Sequence, residues 1–112
     1  RLEDTEGLSM RLGIVVTDAD YLPAATGLID AARARDWQAE CFLTDTGVML
    51  LADEGFVERA RAVPGSVSVC EHSVERYAGG AFDVHALAED VVVGGQYQDA
   101  ELVRRCDKVL VF

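Results

Sequence analysis

A chain of 112 residues is long enough for one folded domain and too short for two. Half of its residues are hydrophobic, which excludes a disordered chain and indicates a packed core. Its formal net charge of −10 argues against nucleic acid and against an anionic membrane surface as partners, because both would repel an acidic protein.

The three cysteines, Cys41, Cys70 and Cys106, are widely spaced along the chain. An odd number at such spacing does not indicate a disulfide framework and favours a reducing compartment, so we expect a cytoplasmic protein. No apolar run approaches the roughly 20 residues of a membrane-spanning helix. The N-terminus also lacks the apolar region of a signal peptide.

The first nine residues are polar and precede a methionine, Met10. We expect residues 1–9 to be a remnant of cloning or a flexible N-terminus, and Met10 to be the native start. Residues 10–112 are then predicted to form a single α/β domain.

Apolar runs and helical stripes alternate along the chain. The runs that have the composition of strands are residues 12–16, 40–43, 67–70, 91–93 and 109–112. Helical spacing of apolar residues occurs between them, at residues 22–35, 56–63 and 74–78. Residues 99–105 are predicted to form the last helix, because acidic residues come early and arginines late, as the helix dipole favours. Residues 48–51 and 81–90 fit neither pattern clearly.

This alternation predicts right-handed βαβ units and a parallel sheet with helices on both faces. We therefore expect a three-layer α/β/α sandwich with a five-stranded, mainly parallel sheet. A flavodoxin-like strand order of 2-1-3-4-5 is the first choice. In such sheets, ligands bind at the carboxyl ends of the strands where the order reverses, here strands one and three.

Polar and reactive residues follow both of those strands. Asp18, Asp20 and Tyr21 come after the first strand, and Cys70, His72 and Ser73 end or follow the third. The predicted order places the two groups in one crevice. The Asp18 carboxylate is then expected to lie near Cys70 and to oppose ionisation of its thiol.

Cys70 lies where a predicted strand passes directly into a predicted helix. Unpaired N–H groups, including those of His72 and Ser73, gather at such a helix N-terminus, and they stabilise the thiolate that makes a cysteine reactive. Glu71 acts against the thiolate, and His72 and Arg76 act in its favour. The alternative is a buried, inert cysteine that only fills space, and spacing alone does not decide between the two.

Other combinations of residues suggest other sites. Asp18 and Asp20 could hold Mg²⁺, as in a phosphorelay receiver. A receiver, however, needs an aspartate at the end of its third strand, where this chain has Cys70. It also needs a lysine after the fifth strand, whereas Lys108 precedes that strand. Cap and turn chemistry is the other interpretation of the two aspartates.

Zinc and phosphate sites have weaker support. A zinc site of Cys70, His72, His85 and Cys106 matches no established ligand spacing. Gly94-Gly95 before a helix lacks the rest of a dinucleotide-binding fingerprint, which leaves a mononucleotide site as a weak alternative. We therefore expect no metal and no organic cofactor. Cys41, within a strand, and Cys106, at a helix C-terminus, are expected to be structural.

Several segments together resemble the DsrE/TusD-like family of small sulfur-relay proteins, also described as DsrE/DsrF-like. The segments are residues 12–16, 42–48, 67–70 and 106–112, in this order and at this spacing. The chain departs from the family in a shorter stretch between Val48 and Pro64, and in Glu71 and His72, where relatives often carry small or apolar residues.

The resemblance implies a DsrEFH-like fold and a sulfurtransferase that carries sulfane sulfur as a persulfide on Cys70. It also implies exchange of that sulfur with a TusA-like carrier protein or another persulfide donor and acceptor. Some relatives lack the cysteine and serve as scaffold subunits, so a non-catalytic scaffold subunit is one alternative to the sulfurtransferase. A flavodoxin-like domain that binds a small ligand is a second alternative. The family forms trimers or hexamers, so we expect a homotrimer or homohexamer, with Met49, Leu50 and Leu51 as exposed apolar residues.

Overall fold

The computed structural model describes residues 10–112. The expectation about residues 1–9 therefore lies outside the described residues. The sheet contains β1 (Arg11–Val16), β2 (Gln38–Leu43), β3 (Val67–Cys70), β4 (Val91–Gly94) and β5 (Lys108–Val111). The α-helices are α1 (Leu22–Ala34), α2 (Glu54–Ala62), α3 (Glu71–Tyr77) and α4 (Gln96–Arg105). Three 3-10 helices span Ala19–Tyr21, Asp45–Ala52 and Val84–Leu87.

The five strands form one parallel sheet, so the prediction of an α/β domain with a parallel sheet is confirmed. The strand order, however, is β4-β3-β2-β1-β5, and the expected order 2-1-3-4-5 is wrong. β2 lies between β1 and β3 and pairs with both. The physical reason is visible in β2 itself, because Cys41, Phe42 and Leu43 are all buried, as a central strand covered on both faces requires.

Helices lie on both faces of the sheet, as the alternation predicted. The chain moves in one direction from β1 to β4, and right-handed crossovers therefore place α1, α2 and α3 on the same face. Their larger core includes Ile29 of α1 and Phe56 of α2. The return from β4 to β5 runs the other way, so α4 lies alone on the second face. Leu102 of α4 packs there against a smaller cluster with Val15, Phe42 and Cys70.

The Asp45–Ala52 3-10 helix gives structure to a segment that sequence patterns left unclassified. Leu50 and Leu51 are 1% and 2% exposed and belong to the larger core. Met49 is half-buried and packs against the same core. The expectation that these three residues are exposed is therefore wrong, because the segment folds as a helix packed against the core and is not a surface connection.

Gly47 allows this 3-10 helix to approach the sheet closely. A Cβ atom at this position would lie 2.2 Å from the carbonyl oxygen of Val16, the last residue of β1. The backbone N–H of Gly47 donates to the carbonyl of Thr44, and the N–H of Thr44 donates to that of Val16. The end of β2 is thus held against the end of β1.

Within residues 10–112, none of the helices combines the length and the apolar character needed to cross a membrane.

Substitution of Gly47 by alanine should destabilise the fold by about 1–3 kcal/mol, because the added methyl group meets backbone that cannot move away. Gly27, in the exposed middle of α1 with no atom near its Cβ position, is the matched control. Gly27→Ala should stabilise by about 0.5–1 kcal/mol through helix propensity. Urea denaturation measures both, and equal effects of the two substitutions would contradict the close approach.

Candidate functional site: the cradle around Cys70

Cys70 is the last residue of β3 and the residue that precedes α3, so the predicted strand-to-helix junction is present. Its backbone is extended, with φ −75° and ψ 113°, and the chain turns into the helix immediately after it. The side chain points to the second face of the sheet, where it contacts the small cluster around Phe42 and Leu102. Residue Cys70 as a whole is 7% exposed.

Burial is the largest influence on the Cys70 thiol, and it raises the pKa. Four hydrogen-bond donors oppose it: the hydroxyl and the backbone N–H of Ser73, the hydroxyl of Thr44, and the backbone N–H of His72. Together they outweigh burial and hold the pKa of Cys70 below its ordinary value of 9.0. We call these four donors the Cys70 cradle.

Thr44 and Ser73 join two neighbouring strand ends in this cradle. Their hydroxyl oxygens lie 3.3 Å apart, and each hydroxyl can give its one hydrogen either to the other oxygen or to the sulfur. The Ser73 hydroxyl also accepts a hydrogen bond of 2.9 Å from the backbone N–H of Asp45. Ser73 is only 4% exposed. With its oxygen accepting from Asp45, its hydroxyl hydrogen is free to point at the sulfur of Cys70.

Sequence reasoning identified Cys70, His72 and Ser73 but missed Thr44. The missing information was the pairing of β2 with β3, which brings the residue after Leu43 beside the residue after Val69. A signal did exist, since a threonine directly after a buried strand is a polar side chain at the carboxyl edge of the sheet. That signal points to Cys70 only when β2 is known to lie beside β3.

His72 and Glu71 contribute less through their side chains than the sequence suggested. Both side chains are exposed, and the part of His72 that acts on the sulfur is its backbone N–H. The Arg76 guanidinium lies 5.4 Å from the centre of the Tyr77 ring. The environment of the thiol therefore depends on neutral donors of fixed position rather than on neighbouring charged side chains.

The residues after β1 form a separate group. Because β2 separates β1 from β3, the two outer strand axes are about 10 Å apart, twice the usual strand spacing. The Asp18 carboxylate accepts a hydrogen bond of 2.8 Å from the N–H of Asp20 and caps the short 3-10 helix. Tyr21 packs its ring on that of Phe112, with centroids 5.4 Å apart. The expectation that strand order makes Asp18 a neighbour of Cys70 is wrong, and cap chemistry describes the observed role of Asp18.

Gly94 and Gln98 form the border of the site on the β4 side. Gly94 pairs with Cys70 across the sheet, so a side chain there would point to the same face as the thiol. That space is filled by Gln98 of α4, whose Cγ lies 2.7 Å from where a Gly94 Cβ would be. Gln98 is therefore a polar side chain against the strand position that pairs with Cys70, and sequence reasoning missed it.

Cys41 and Cys106 differ from Cys70 in the direction of their pKa. Complete burial in β2 raises the pKa of Cys41 to about 12. Burial, helped by the Glu40 carboxylate, raises that of Cys106 to about 11. Cys106 lies at the C-terminal end of α4, against Gly13 of β1. Both positions agree with the structural roles expected for them.

The alternative metal sites receive no geometric support from the described residues. Within residues 10–112, His, Cys, Asp and Glu side chains do not come together in any group of three that could hold a metal ion. His85 is exposed on the Val84–Leu87 3-10 helix. Lys108 begins β5 and is paired with Leu12, at the end of the sheet opposite to Cys70.

Comparison of the chain with protein-family models gave no match, and comparisons with curated proteins and with solved structures gave none either.

Removal of one cradle donor should raise the pKa of Cys70. We expect Thr44→Val to shift the midpoint of alkylation rate against pH upward, with a several-fold lower rate at pH 7, because the thiolate loses a hydrogen bond. Peptide-resolved mass spectrometry after iodoacetamide treatment measures this for each cysteine separately.

Thr44→Ser, which keeps the hydroxyl, and Asp18→Asn are the controls, and both should leave the Cys70 midpoint in place. A midpoint that moves with Asp18→Asn but not with Thr44→Val would contradict the cradle.

Proposed function

We propose that this protein is a sulfur-relay protein that carries sulfane sulfur as a persulfide on Cys70. The observation that carries the proposal is the Cys70 cradle, in which four donors lower the pKa of one thiol, while burial raises the pKa values of the other two. The same donors suit a persulfide, which is also an anionic sulfur group at neutral pH. The sequence resemblance to DsrE/TusD-like proteins supports the same chemistry and a DsrEFH-like version of the α/β fold.

The proposed reaction is a sequence of two thiol exchanges. The Cys70 thiolate attacks the outer sulfur of a donor persulfide, R–S–SH, which forms Cys70–S–SH and releases R–S⁻. An acceptor thiolate, R′–S⁻, then attacks the outer sulfur on Cys70, which forms R′–S–SH and returns Cys70 to its thiolate. Each step breaks one sulfur–sulfur bond and forms another, so neither an external oxidant nor a reductant is consumed. No metal or organic cofactor takes part.

The proposed partner is a small TusA-like carrier protein or another persulfide donor and acceptor, in the cytoplasm. The acidic surface of the chain, with a net charge of −10, suits a partner that presents a basic patch around its own thiol. A donor or acceptor must come within bonding distance of Cys70, so the exposed residues at the carboxyl edge, His72 and Glu71 among them, form the natural docking surface.

One observation favours a second candidate, a non-catalytic scaffold subunit of a sulfur-transfer complex. Cys70 is 7% exposed, so a reagent reaches its sulfur only through a small opening or after a local movement of the chain. Fast alkylation of Cys70 by a small reagent in the native state supports the sulfur carrier. Alkylation only after unfolding supports the scaffold.

We also propose that the protein assembles as a homotrimer or homohexamer. On the second face of the sheet, α4 alone covers the strands, and it leaves apolar side chains exposed on both sides of it. Val92 of β4 is 38% exposed and Val111 of β5 is 67% exposed, and Val103 on α4 itself is 54% exposed. Burial of this face by a second copy would remove apolar surface from water, which is the usual driving force of association.

The assembly should weaken when a charge is placed on this face. We expect Val111→Glu to shift the mass measured by multi-angle light scattering toward the monomer. Val63→Glu is the control, because Val63 is 47% exposed at the end of α2 on the other side of the sheet. A native protein that is monomeric at micromolar concentration would show the proposal to be wrong.

Persulfide loading should depend on Cys70 alone. After incubation with a persulfide donor, the native protein should gain about 32 Da per sulfur atom, and the gain should vanish on reduction. Cys70→Ser should abolish the gain without unfolding the protein, since the substitution is small. Cys41→Ala and Cys106→Ser should still load. Intact-mass spectrometry compares the four proteins, and loading of the Cys70→Ser variant would refute the assignment.

A further inference from the structure

A cavity of about 410 Å³ lies at the opposite end of the sheet from Cys70. It is formed at the amino ends of β2 and β3, between the end of α1 and the turn after α2. Its walls include Arg33, Trp37, Glu40, Ser66 and Arg105. This volume falls in the range of small-molecule sites, and neither the proposed sulfur chemistry nor the core packing uses it.

Trp37 is held rigidly in the wall of this cavity. It follows α1 through a turn in which Asp36 adopts a left-handed conformation, with φ 60°. The N–H of Trp37 donates to the carbonyl of Ala32, and the N–H of Asp36 to that of Arg33. These two hydrogen bonds form a Schellman motif, which fixes the residue after the helix relative to the last turn. Trp37 is half-buried and packs against the larger core, and its ring offers an apolar wall to the cavity.

Arg33 supplies a half-buried cation beside that wall. One terminal nitrogen of its guanidinium donates to the carbonyl of Arg59 at 2.9 Å, and the other lies 3.4 Å from the hydroxyl of Ser66. Ser66 is itself buried. A guanidinium has five N–H donors, and these contacts use two of them. Among the described residues, no carboxylate lies within 4 Å of Arg33, while the nearby Asp30 is bound by Arg59 at 2.7 Å.

The other charges of the cavity leave a positive balance. Arg105 is paired with Glu40 at 2.6 Å, and the two formally cancel. Arg33 then gives the cavity a formal charge of +1, on a protein whose net charge is −10. Arg33 forms no ion pair with a carboxylate of residues 10–112, and Asp30 acts on it only at longer range. A half-buried cation that has lost part of its hydration and is not paired in this way is a favourable position for an anion.

We propose that this cavity binds a small organic acid that has one carboxylate and a flat apolar body. The carboxylate accepts hydrogen bonds from the free N–H donors of Arg33, and the apolar body packs against the indole ring of Trp37. A single negative charge matches the formal charge of the cavity, and Val63 and Pro64 extend the apolar wall. A multiply charged anion without an apolar body, such as inorganic phosphate, satisfies only the first of these contacts.

Trp37 is the only tryptophan in the chain, and besides this cavity it lines a second one of about 240 Å³, whose walls include Arg35. Its fluorescence therefore reports on both cavities, and the arginine variants distinguish them. The full-length protein is titrated with benzoate, with benzamide as the neutral analogue of the same shape, and with inorganic phosphate, with excitation at 295 nm. Benzoate should change the emission in a saturable manner, and benzamide and phosphate should bind at least about tenfold more weakly.

Arg33→Gln should weaken benzoate binding by about tenfold or more. The matched control is Arg35→Gln, which makes the same charge change two residues away, in the wall of the second cavity. It should leave the affinity within about twofold. Arg33→Lys, with the charge kept and the planar donors lost, should give an intermediate result.

Equal binding of benzoate and benzamide, or equal losses in Arg33→Gln and Arg35→Gln, would overturn the proposal. Saturable binding of phosphate in place of benzoate would also overturn it and would assign the cavity to an inorganic anion. Circular dichroism of each variant shows whether it is folded, and if Arg33→Gln does not fold, Arg33→Lys and the benzamide comparison decide the matter.

Discussion

The contact between the Thr44 and Ser73 hydroxyls is the interaction on which the candidate site depends. It joins the end of β2 to the first turn of α3, and it places two hydroxyl groups beside one sulfur. Burial alone would disfavour the thiolate. At Cys41 it raises the pKa from 9.0 to about 12, which corresponds to roughly 4 kcal/mol against the anion. Cys70 is also buried, yet its pKa is lowered. The four donors therefore stabilise the thiolate by more than its burial disfavours it.

The position of Thr44 depends in turn on how closely the end of β2 approaches β1. The N–H of Thr44 donates to the carbonyl of Val16, and Gly47 makes room for the same carbonyl. Leu50 and Leu51 then anchor the 3-10 helix in the larger core. The cradle is thus supported by packing on the face of the sheet opposite to the thiol, and a defect in that packing is expected to reach the sulfur through Thr44.

The sequence predicted the local structure at Cys70 correctly, but it did not predict which strands lie beside that of Cys70. The alternation of Val67 and Val69, followed directly by a helical pattern, was sufficient to place Cys70 at a strand-to-helix junction. Such periodicity reports which face of a strand is buried, and it does not report which strand lies beside it. The order of strands therefore had to be chosen by analogy, and the wrong choice brought Asp18 near Cys70 and left Thr44 out.

One sequence signal for the correct order was present in β2. Cys41, Phe42 and Leu43 form a continuous apolar run, which is typical of a strand covered on both faces, whereas the order 2-1-3-4-5 would have placed β2 at an edge. The cavity beside Trp37 could not be predicted in the same way. It depends on a helix-ending turn at Asp36 and on side chains from three separate segments, and only the folded chain brings them together.

The central claim is that fixed neutral donors, acting against burial, keep the pKa of Cys70 low. The most direct test is a pH titration of the native protein labelled with ¹³C at the cysteine Cβ atoms, with signals assigned by Cys70→Ser, Cys41→Ala and Cys106→Ser. The account predicts a midpoint below 9.0 for Cys70, with Cys106 and Cys41 titrating near 11 and 12 or not before the protein unfolds. A Cys70 midpoint at or above 9.0 in the folded protein would contradict it.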